Sequence, residues 1–158
     1  YTGFFIKLFN KKSNLQIEKK YNRTNIRFNS KFIYNYVYDS LDFGSNKTHT
    51  VGLKKPIDSY SNRFLSGFLL GLVLTDGYLK ERFCFNTTSP KLAENVKYIL
   101  GRLGYKANLY KHRRGEQGWK DLCMISLTKC DSRSLLGILN KELEKVGYNK
   151  GFKIIKGY

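Results

Sequence analysis

The longest apolar run of the chain covers residues 68–74 and leads directly into a carboxylate and a glycine, Asp76 and Gly77. Gly67 and Gly71 stand four positions apart, which places both on one face of a helix. Glycine at position 77 is typical of the residue that follows a helix C-terminus. The pattern therefore predicts a buried helix that presents the Asp76 side chain at its end.

The glycines and the carboxylate of this helix indicate a chemical role. Small residues at positions i and i+4 let a second helix approach closely, so we expect Gly67 and Gly71 to lie in a helix–helix interface. Asp76 stands where the helix dipole is already negative, which costs energy unless a cation compensates. Two such helices packed side by side bring two carboxylates together, and paired oxygen ligands suit a divalent metal such as Mg²⁺.

Beyond this helix, apolar residues recur with the two-residue period of β-strands. Residues 78–87 are predicted as a strand, and a tight hairpin about residues 80–81 is an equally good interpretation. Residues 105–112 and 120–128 are predicted as a second pair of strands. The turn between them, residues 113–119, contains two glycines and basic side chains, which suits an exposed hairpin tip.

Two further helices are predicted between and after the strands. Ser89 and Pro90 favour a helix start, and Gly104 favours its end. Asp131 is expected to cap the last helix, which ends near Gly147. The apolar stripes of the two helices comprise Leu92, Ala93, Val96, Ile99, Leu100 and Leu103, and Leu135, Leu136, Leu139, Leu143 and Val146. From residue 64 the order is helix, strands, helix, strands, helix.

Residues 1–42 form a basic N-terminal segment. Residues 4–9 and 25–28 are predicted as strands separated by a polar, basic turn, and Ser30 is expected to cap a helix that ends at about Leu41. A basic, partly ordered tail is the alternative. Residues 43–62 are rich in Gly, Ser, Asn and Thr and are predicted as a linker, so the main domain is expected to cover residues 63–158.

Residues 69–77, Leu-Leu-Gly-Leu-Val-Leu-Thr-Asp-Gly, resemble the LAGLIDADG motif of homing endonucleases. The resemblance implies an α+β fold built on an αββαββα unit whose sheet forms a concave, basic saddle over the DNA major groove. In that family the motif helix is the interface between two halves, and its last acidic residue, here Asp76, binds the catalytic metal. The sixth motif position, often acidic in the family, is Leu74. A core helix with an ordinary glycine stop is the alternative.

The charge of the chain favours a polyanionic partner. Lys and Arg number 29 and Asp and Glu 12, a net charge of +17, so nucleic acid is the first candidate. No apolar run reaches the roughly 18 residues of a membrane helix, and we expect no membrane partner. The three cysteines form no Cys-x-x-Cys pair, which argues against a zinc site.

Candidate contact residues are polar side chains of the predicted strands and turns, because two-stranded ribbons fit the major groove. They are Lys80, Arg82, Asn86, Asn108, Lys111, Arg113, Arg114 and Gln117. Lys129, just after the last strand, is a candidate basic residue of the catalytic site beside the metal ligand Asp76.

Only one motif is present, and one copy supplies only one carboxylate. The second half is expected from a second copy in a homodimer or from another segment. Residues 1–60 repeat the order strand, basic turn, strand, helix of residues 105–146. They are therefore a candidate for the back half of a degenerate first repeat.

Two functions remain open. The first is a site-specific endonuclease that hydrolyses DNA phosphodiesters with Mg²⁺. The second is a non-catalytic, RNA-binding descendant that acts as an intron maturase or as a structural component of an organellar ribonucleoprotein such as a mitochondrial ribosome, with structured RNA as its partner. The excess of Lys, Asn, Tyr, Phe and Ile is typical of an AT-rich coding sequence, which predicts a mitochondrial or plastid origin.

Overall fold

The computed structural model describes residues 15–20, 23–28, 31–44, 47–75, 77–79, 82–115, 118 and 120–145. Its N-terminal part consists of short elements: strands β1 (Leu15–Lys20) and β2 (Arg23–Phe28), helix α1 (Lys31–Ser40), strand β3 (Leu41–Asp42), helix α2 (Lys47–Thr50), strand β4 (Gly52–Leu53) and a 3₁₀ turn (Ile57–Ser59). β1 pairs with β2 and β3 with β4, both antiparallel.

The main unit follows as αββαββα, which confirms the predicted α+β class and element order. Its elements are α3 (Asn62–Thr75), β5 (Gly77–Leu79), β6 (Phe83–Thr87), α4 (Pro90–Arg102), β7 (Asn108–His112), β8 (Leu122–Ser126) and α5 (Lys129–Lys145).

The four strands of this unit form one antiparallel sheet in the order β5-β6-β8-β7. Gly77 pairs with Phe85 and Leu79 pairs with Phe83, so the stretch from residue 78 to 87 is a hairpin and not one continuous strand. β6 and β7 each pair with β8. β5 and β7 are therefore the edges of the sheet.

One hydrophobic core lies between the sheet and helices α3, α4 and α5. Phe83 and Phe85 of β6 and Ile125 of β8 are at most 2% exposed, while their sequence neighbours point to the other face. The helices contribute Leu65, Leu69, Leu70, Val73, Leu92, Ala93, Val96, Ile99, Leu100, Leu135, Leu139 and Leu143. The sheet thus buries a single face.

The ends of α4 lie where the sequence predicts them. The Ser89 Oγ accepts a hydrogen bond from the Leu92 amide at 3.2 Å, which makes Ser89 the N-cap, and Pro90 is the first helical residue. At the other end Gly104 has φ +87°, a left-handed conformation that favours glycine. Both helix ends are therefore set by local sequence.

The predicted cap of α5 is wrong. The helix begins at Lys129, so Asp131 already lies in its first turn. Thr128 is the cap: its Oγ1 accepts from the Asp131 amide at 3.1 Å and donates to the Asp131 carboxylate at 3.0 Å. These two hydrogen bonds give the Asp131 amide in the first turn of the helix a partner. A cap at Asp131 would instead make the helix shorter. The predicted end near Gly147 lies outside the described residues.

The N-terminal segment matches its prediction in part. α1 and β2 lie close to the predicted helix and second strand, but residues 15–20 form β1 where a basic turn was predicted. The turn prediction followed the charges and overlooked the alternation of Leu15 and Ile17 with polar residues, which suits a strand paired to β2. The predicted strand at residues 4–9 lies in the part of the chain that is not described.

The segment predicted as a linker contains α2, β4 and the 3₁₀ turn, and it packs along α4. Leu53 is 2% exposed and belongs to the core. Its amide donates to the Asn95 Oδ1 at 2.8 Å, and the Ser89 Oγ donates to the Val51 carbonyl at 2.6 Å. The His49 ring and the Thr88 hydroxyl form a further hydrogen bond of 2.7 Å. The division into 1–42, 43–62 and 63–158 stays a prediction.

We predict that Ser89→Ala lowers the free energy of unfolding by about 2 kcal/mol or more. The variant loses the helix cap, worth about 1 kcal/mol, and leaves the Val51 carbonyl without its buried donor. Ser61→Ala is the control, because Ser61 caps α3 through a single exposed bond to the Phe64 amide, and it is expected to cost about 1 kcal/mol. Urea denaturation followed by circular dichroism measures both. Equal losses would contradict the dual role of Ser89.

Candidate functional site

The face of the sheet that points away from the helices is called the open face here. Strand alternation assigns to it the described side chains of Cys84, Asn86, Asn108, Tyr110, His112, Leu122, Met124 and Ser126. Asn86, Asn108 and His112 are exposed, and Tyr110 is 48% exposed. The open face therefore presents amide, aromatic and sulfur side chains to solvent.

Strand register arranges these side chains in rows across the sheet. Met124 lies opposite Asn86 on one side and opposite Tyr110 on the other. A second row contains Cys84, Ser126 and Asn108 in the same order. Neighbouring side chains in such a row are close enough to contact the same ligand.

Cations stand at both ends of the strands. β6 and β7 start at the end where β8 finishes, because each is antiparallel to β8. Three cations flank the strands at that end: Arg82, Lys106 and Lys129. Three more flank them at the opposite end: Arg113, Arg114 and Lys120. None of the described open-face side chains is Lys or Arg. The described cations therefore flank a face on which the described side chains include no Lys or Arg.

The predicted contact residues separate into three groups. Asn86 and Asn108 lie on the open face, and Arg82, Arg113 and Arg114 lie at its ends. Lys111 has the same strand parity as Leu109, so it points to the side opposite Asn108. A lysine on the edge strand β7 also discourages pairing with a foreign strand. Lys80 and Gln117 lie beyond the described residues.

Sequence reasoning missed six of the described open-face residues, namely Cys84, Tyr110, His112, Leu122, Met124 and Ser126. The candidates were chosen by residue type, as Lys, Arg, Asn and Gln. Tyr110 and His112 share the parity of Asn108, and Met124 alternates with the core residue Ile125. Strand alternation was therefore the signal that could have found them.

Cys84 contributes a neutral thiol to the open face. Burial raises the pKa of the Cys84 thiol, and the nearby charge of Arg82 opposes this only in part. The thiol therefore stays protonated at neutral pH and acts as a small, weakly polar group.

Among the described residues, the glycine face of α3 is exposed. Gly67 and Gly71 are exposed, and a Cβ added at either would meet no described atom within 4 Å. The opposite face of the helix is buried through Leu65, Leu69 and Val73. The close helix contact predicted from these glycines is not made by the described part of this chain.

A groove of about 530 Å³ runs between α1 and α3 beside this glycine face. Its walls are largely apolar and comprise Tyr36, Val37, Ser40, Leu41, Ser61, Arg63, Phe64, Gly67 and Phe68. The ring of Phe64 stacks on Tyr60 at a centroid distance of 4.6 Å and on Phe68 at 6.4 Å. The groove thus has a built aromatic wall and continues the open surface of α3.

The candidate metal ligand Asp76 is not among the described residues. It stands in the chain between Thr75, the last residue of α3, and Gly77, the first of β5. The described residues contain no group of three or more His, Cys, Asp or Glu side chains that could hold a metal ion. Nor does the described part include a helix long and apolar enough to cross a membrane.

Lys129 is the first residue of α5 and is exposed. Lys129 lies at the same end of the strands as Arg82. The motif helix α3 instead leads into β5 at Gly77, which pairs with Phe85 nearer the opposite end. The structure thus places Lys129 at the rim of the open face.

Comparison with known proteins agrees with this architecture. A family model described as a LAGLIDADG-like domain matches residues 63–142, just over half of the chain. No curated protein matches significantly.

Solved structures of I-DmoI share the fold. The crystal structure of I-DmoI in complex with DNA and Ca superposes with a TM-score of 0.62 and 21% identity over 88% of this chain. The chain spans only 64% of that protein's length. The complex with DNA and Mn superposes with a TM-score of 0.62 and 21% identity over 87% of this chain. The structures of mesophilic variants of I-DmoI give a TM-score of 0.61 and 21% identity. From its family match, supported by this fold, the chain belongs to the family of LAGLIDADG-like domains.

Proposed function

We propose that this chain binds duplex DNA through the open face of its sheet and forms half of a site-specific, divalent-metal-dependent endonuclease. The observation that carries the proposal is an amide-bearing face, with no Lys or Arg among its described side chains, flanked by cations at both strand ends. Cations at the rim suit phosphates, and amides in the centre suit base edges. Membership of the LAGLIDADG family and the DNA complexes of I-DmoI support it.

We propose Mg²⁺ as the metal, with Asp76 as its ligand. The I-DmoI structures contain Ca and Mn, and a carboxylate suits all of these hard cations. A bound divalent ion activates water and stabilises the leaving oxygen in phosphodiester hydrolysis. Asp76 supplies one oxygen ligand per chain. Lys129 stands at the other strand end from the start of β5, so we propose for it a phosphate contact at the rim of the open face and not a contact beside Asp76.

The second half is proposed to dock on the glycine face of α3 and the adjoining groove. Gly67 and Gly71 leave room for a helix backbone, and the aromatic groove wall offers apolar surface for its side chains. A second copy of the chain is one source. Another segment is the alternative: residues 1–42, whose helix α1 already lines the groove, would be the back half of a degenerate first repeat. The structural likeness to I-DmoI covers more of the chain than residues 63–158 contain, which favours the repeat.

The second candidate function is RNA binding in an organellar ribonucleoprotein, as a maturase or a structural component. The observation that favours it is the exposed tyrosine surface of α1. Tyr34 is 66% and Tyr38 54% exposed, their rings stack at 5.9 Å, and the Lys54 ammonium lies 4.7 Å from the Tyr38 ring centroid. Stacked aromatics with a cation suit unpaired bases. A mitochondrial or plastid origin fits both candidates.

We predict that Gly71→Leu weakens self-association of the chain without lowering its folding stability. Leucine has a higher helix propensity than glycine by about 0.5–1 kcal/mol, but its side chain blocks close approach of a second helix. Gly101→Leu is the control, since Gly101 lies in α4 and its added Cβ also meets no described atom. Light scattering over a concentration series measures association. Equal association of both variants would remove the glycine face from the interface, and a monomeric native chain would assign the second half to another segment.

We predict that Asp76→Asn lowers metal-dependent DNA cleavage by more than about 100-fold while duplex affinity changes little, because the amide is a poor metal ligand and leaves the open face intact. Cleavage is measured by sequencing the nicked products of a randomised plasmid pool with Mg²⁺ or Mn²⁺, and affinity by gel shift. Asp39→Asn, an exposed carboxylate on α1, is the control. Cleavage that survives in Asp76→Asn would contradict the role of Asp76.

We predict that duplex DNA outcompetes a folded RNA of equal length for binding to the chain. Tyr110→Ala is expected to lower duplex affinity, whereas the double variant Tyr34→Ala with Tyr38→Ala is expected to leave it unchanged. Tyr110 lies on the proposed DNA face and the other two tyrosines lie on α1. Competition binding by fluorescence anisotropy measures this. Preference for RNA, lost by about tenfold or more in the α1 double variant, would support the second candidate instead.

A further inference from the structure

One row of the open face combines three chemically distinct side chains. Asn86, Met124 and Tyr110 stand on β6, β8 and β7, directly opposite one another in register. Asn86 is exposed, Tyr110 is 48% exposed and Met124 is half-buried between them. The row therefore offers an amide at one end and an apolar surface over its remainder.

The Asn86 side chain makes no hydrogen bond to the described part of the chain. Its exposed amide thus keeps both a donor and an acceptor for a ligand. Among the base edges of the major groove, adenine presents N7 as an acceptor and N6 as a donor, which an Asn amide matches with two hydrogen bonds. Guanine is read best by Arg or Lys, and neither occurs among the described open-face side chains.

Met124 and Tyr110 provide the apolar part of the row. Their thioether and ring suit the C5-methyl group of thymine, the one apolar group that bases expose in the major groove. Neighbouring strands are about 4.8 Å apart and stacked base pairs about 3.4 Å. Adjacent side chains of the row therefore reach the same or neighbouring base pairs.

We propose that the row Asn86–Met124–Tyr110 determines specificity for A·T base pairs, with Asn86 bound to adenine and Met124 and Tyr110 against thymine methyl groups. The inference rests on the proposed duplex binding and adds to it the bases that the face selects. The cations at the strand ends hold phosphates and contribute affinity without base preference.

The test uses a randomised duplex pool, from which the wild-type chain and its variants each select bound sequences. Asn86→Ala is expected to relax an adenine preference of about tenfold at one position. Asn86→Asp is expected to shift that preference towards cytosine, because a carboxylate accepts from cytosine N4 but repels adenine N7. A merely structural role for Asn86 would not move the preferred base.

A second arm replaces thymine by uracil in the selected duplex, which removes only the methyl groups. This replacement is expected to weaken binding several-fold for the wild-type chain, but not for Met124→Ala with Tyr110→Ala. Tyr98→Ala is the matched control: Tyr98 is 46% exposed, similar to Tyr110, but lies on α4 across the core from the open face. It is expected to behave as wild type.

The outcomes separate the two levels of the argument. Two results would overturn the assignment of this row but leave duplex binding intact. One is that wild type, Asn86→Ala and Asn86→Asp select the same preferred bases. The other is that uracil in place of thymine has no effect on binding. Failure of the wild-type chain to bind any duplex, with folding verified by circular dichroism, would overturn both.

Discussion

Burial of a single sheet face against three helices is the interaction on which the rest of the structure depends. Phe83, Phe85 and Ile125 are removed from water on that face, and each such side chain contributes roughly 1.5–3 kcal/mol. A register slip of one residue would expose them and bury Asn86. The same hydrophobic burial therefore sets the strand register and decides which side chains the open face presents. Because those side chains bear little of the folding energy, their chemistry is free to serve recognition.

The N-terminal part is joined to this core by the buried side chain of Leu53 and by polar contacts along α4. The buried Ser89 hydroxyl and the Asn95 amide hold the backbone of residues 51–53. The ion pair of Lys91 with Asp42, at 2.8 Å, lowers the pKa of Asp42 but is half-exposed, so it adds little stability. These contacts fix the positions of β3 and β4 against α4. Because α1 leads directly into β3, they also fix the position of α1 beside α3. The shape of the aromatic groove depends on them.

The parts of the fold that were predictable are those decided locally. Ser89 and Gly104 set the ends of α4 through one side-chain hydrogen bond and one left-handed residue, so the sequence around them suffices. Thr128 and Asp131 are both residue types that cap helices, and they stand three positions apart. Which of them is the N-cap depends on where α5 begins after β8, and the local sequence does not decide this. The Leu53 amide donates to Asn95, 42 residues away, so local composition does not reveal this packing and alone favoured a linker. Contact residues chosen by type mixed both sheet faces, because that choice left out the alternation of polar and core residues along each strand.

The incomplete interface of α3 ties the proposed chemistry to assembly. One chain offers a single motif, and its glycine face and the adjoining groove stay open in the described structure. An apolar groove exposed to water is unfavourable, so the proposed association would be driven by the same burial that folds the core. Association would place the C-terminal ends of two motif helices side by side. Two carboxylates at those ends repel each other unless a divalent cation lies between them, which makes the proposed metal as much a structural requirement of the paired state as a catalytic one.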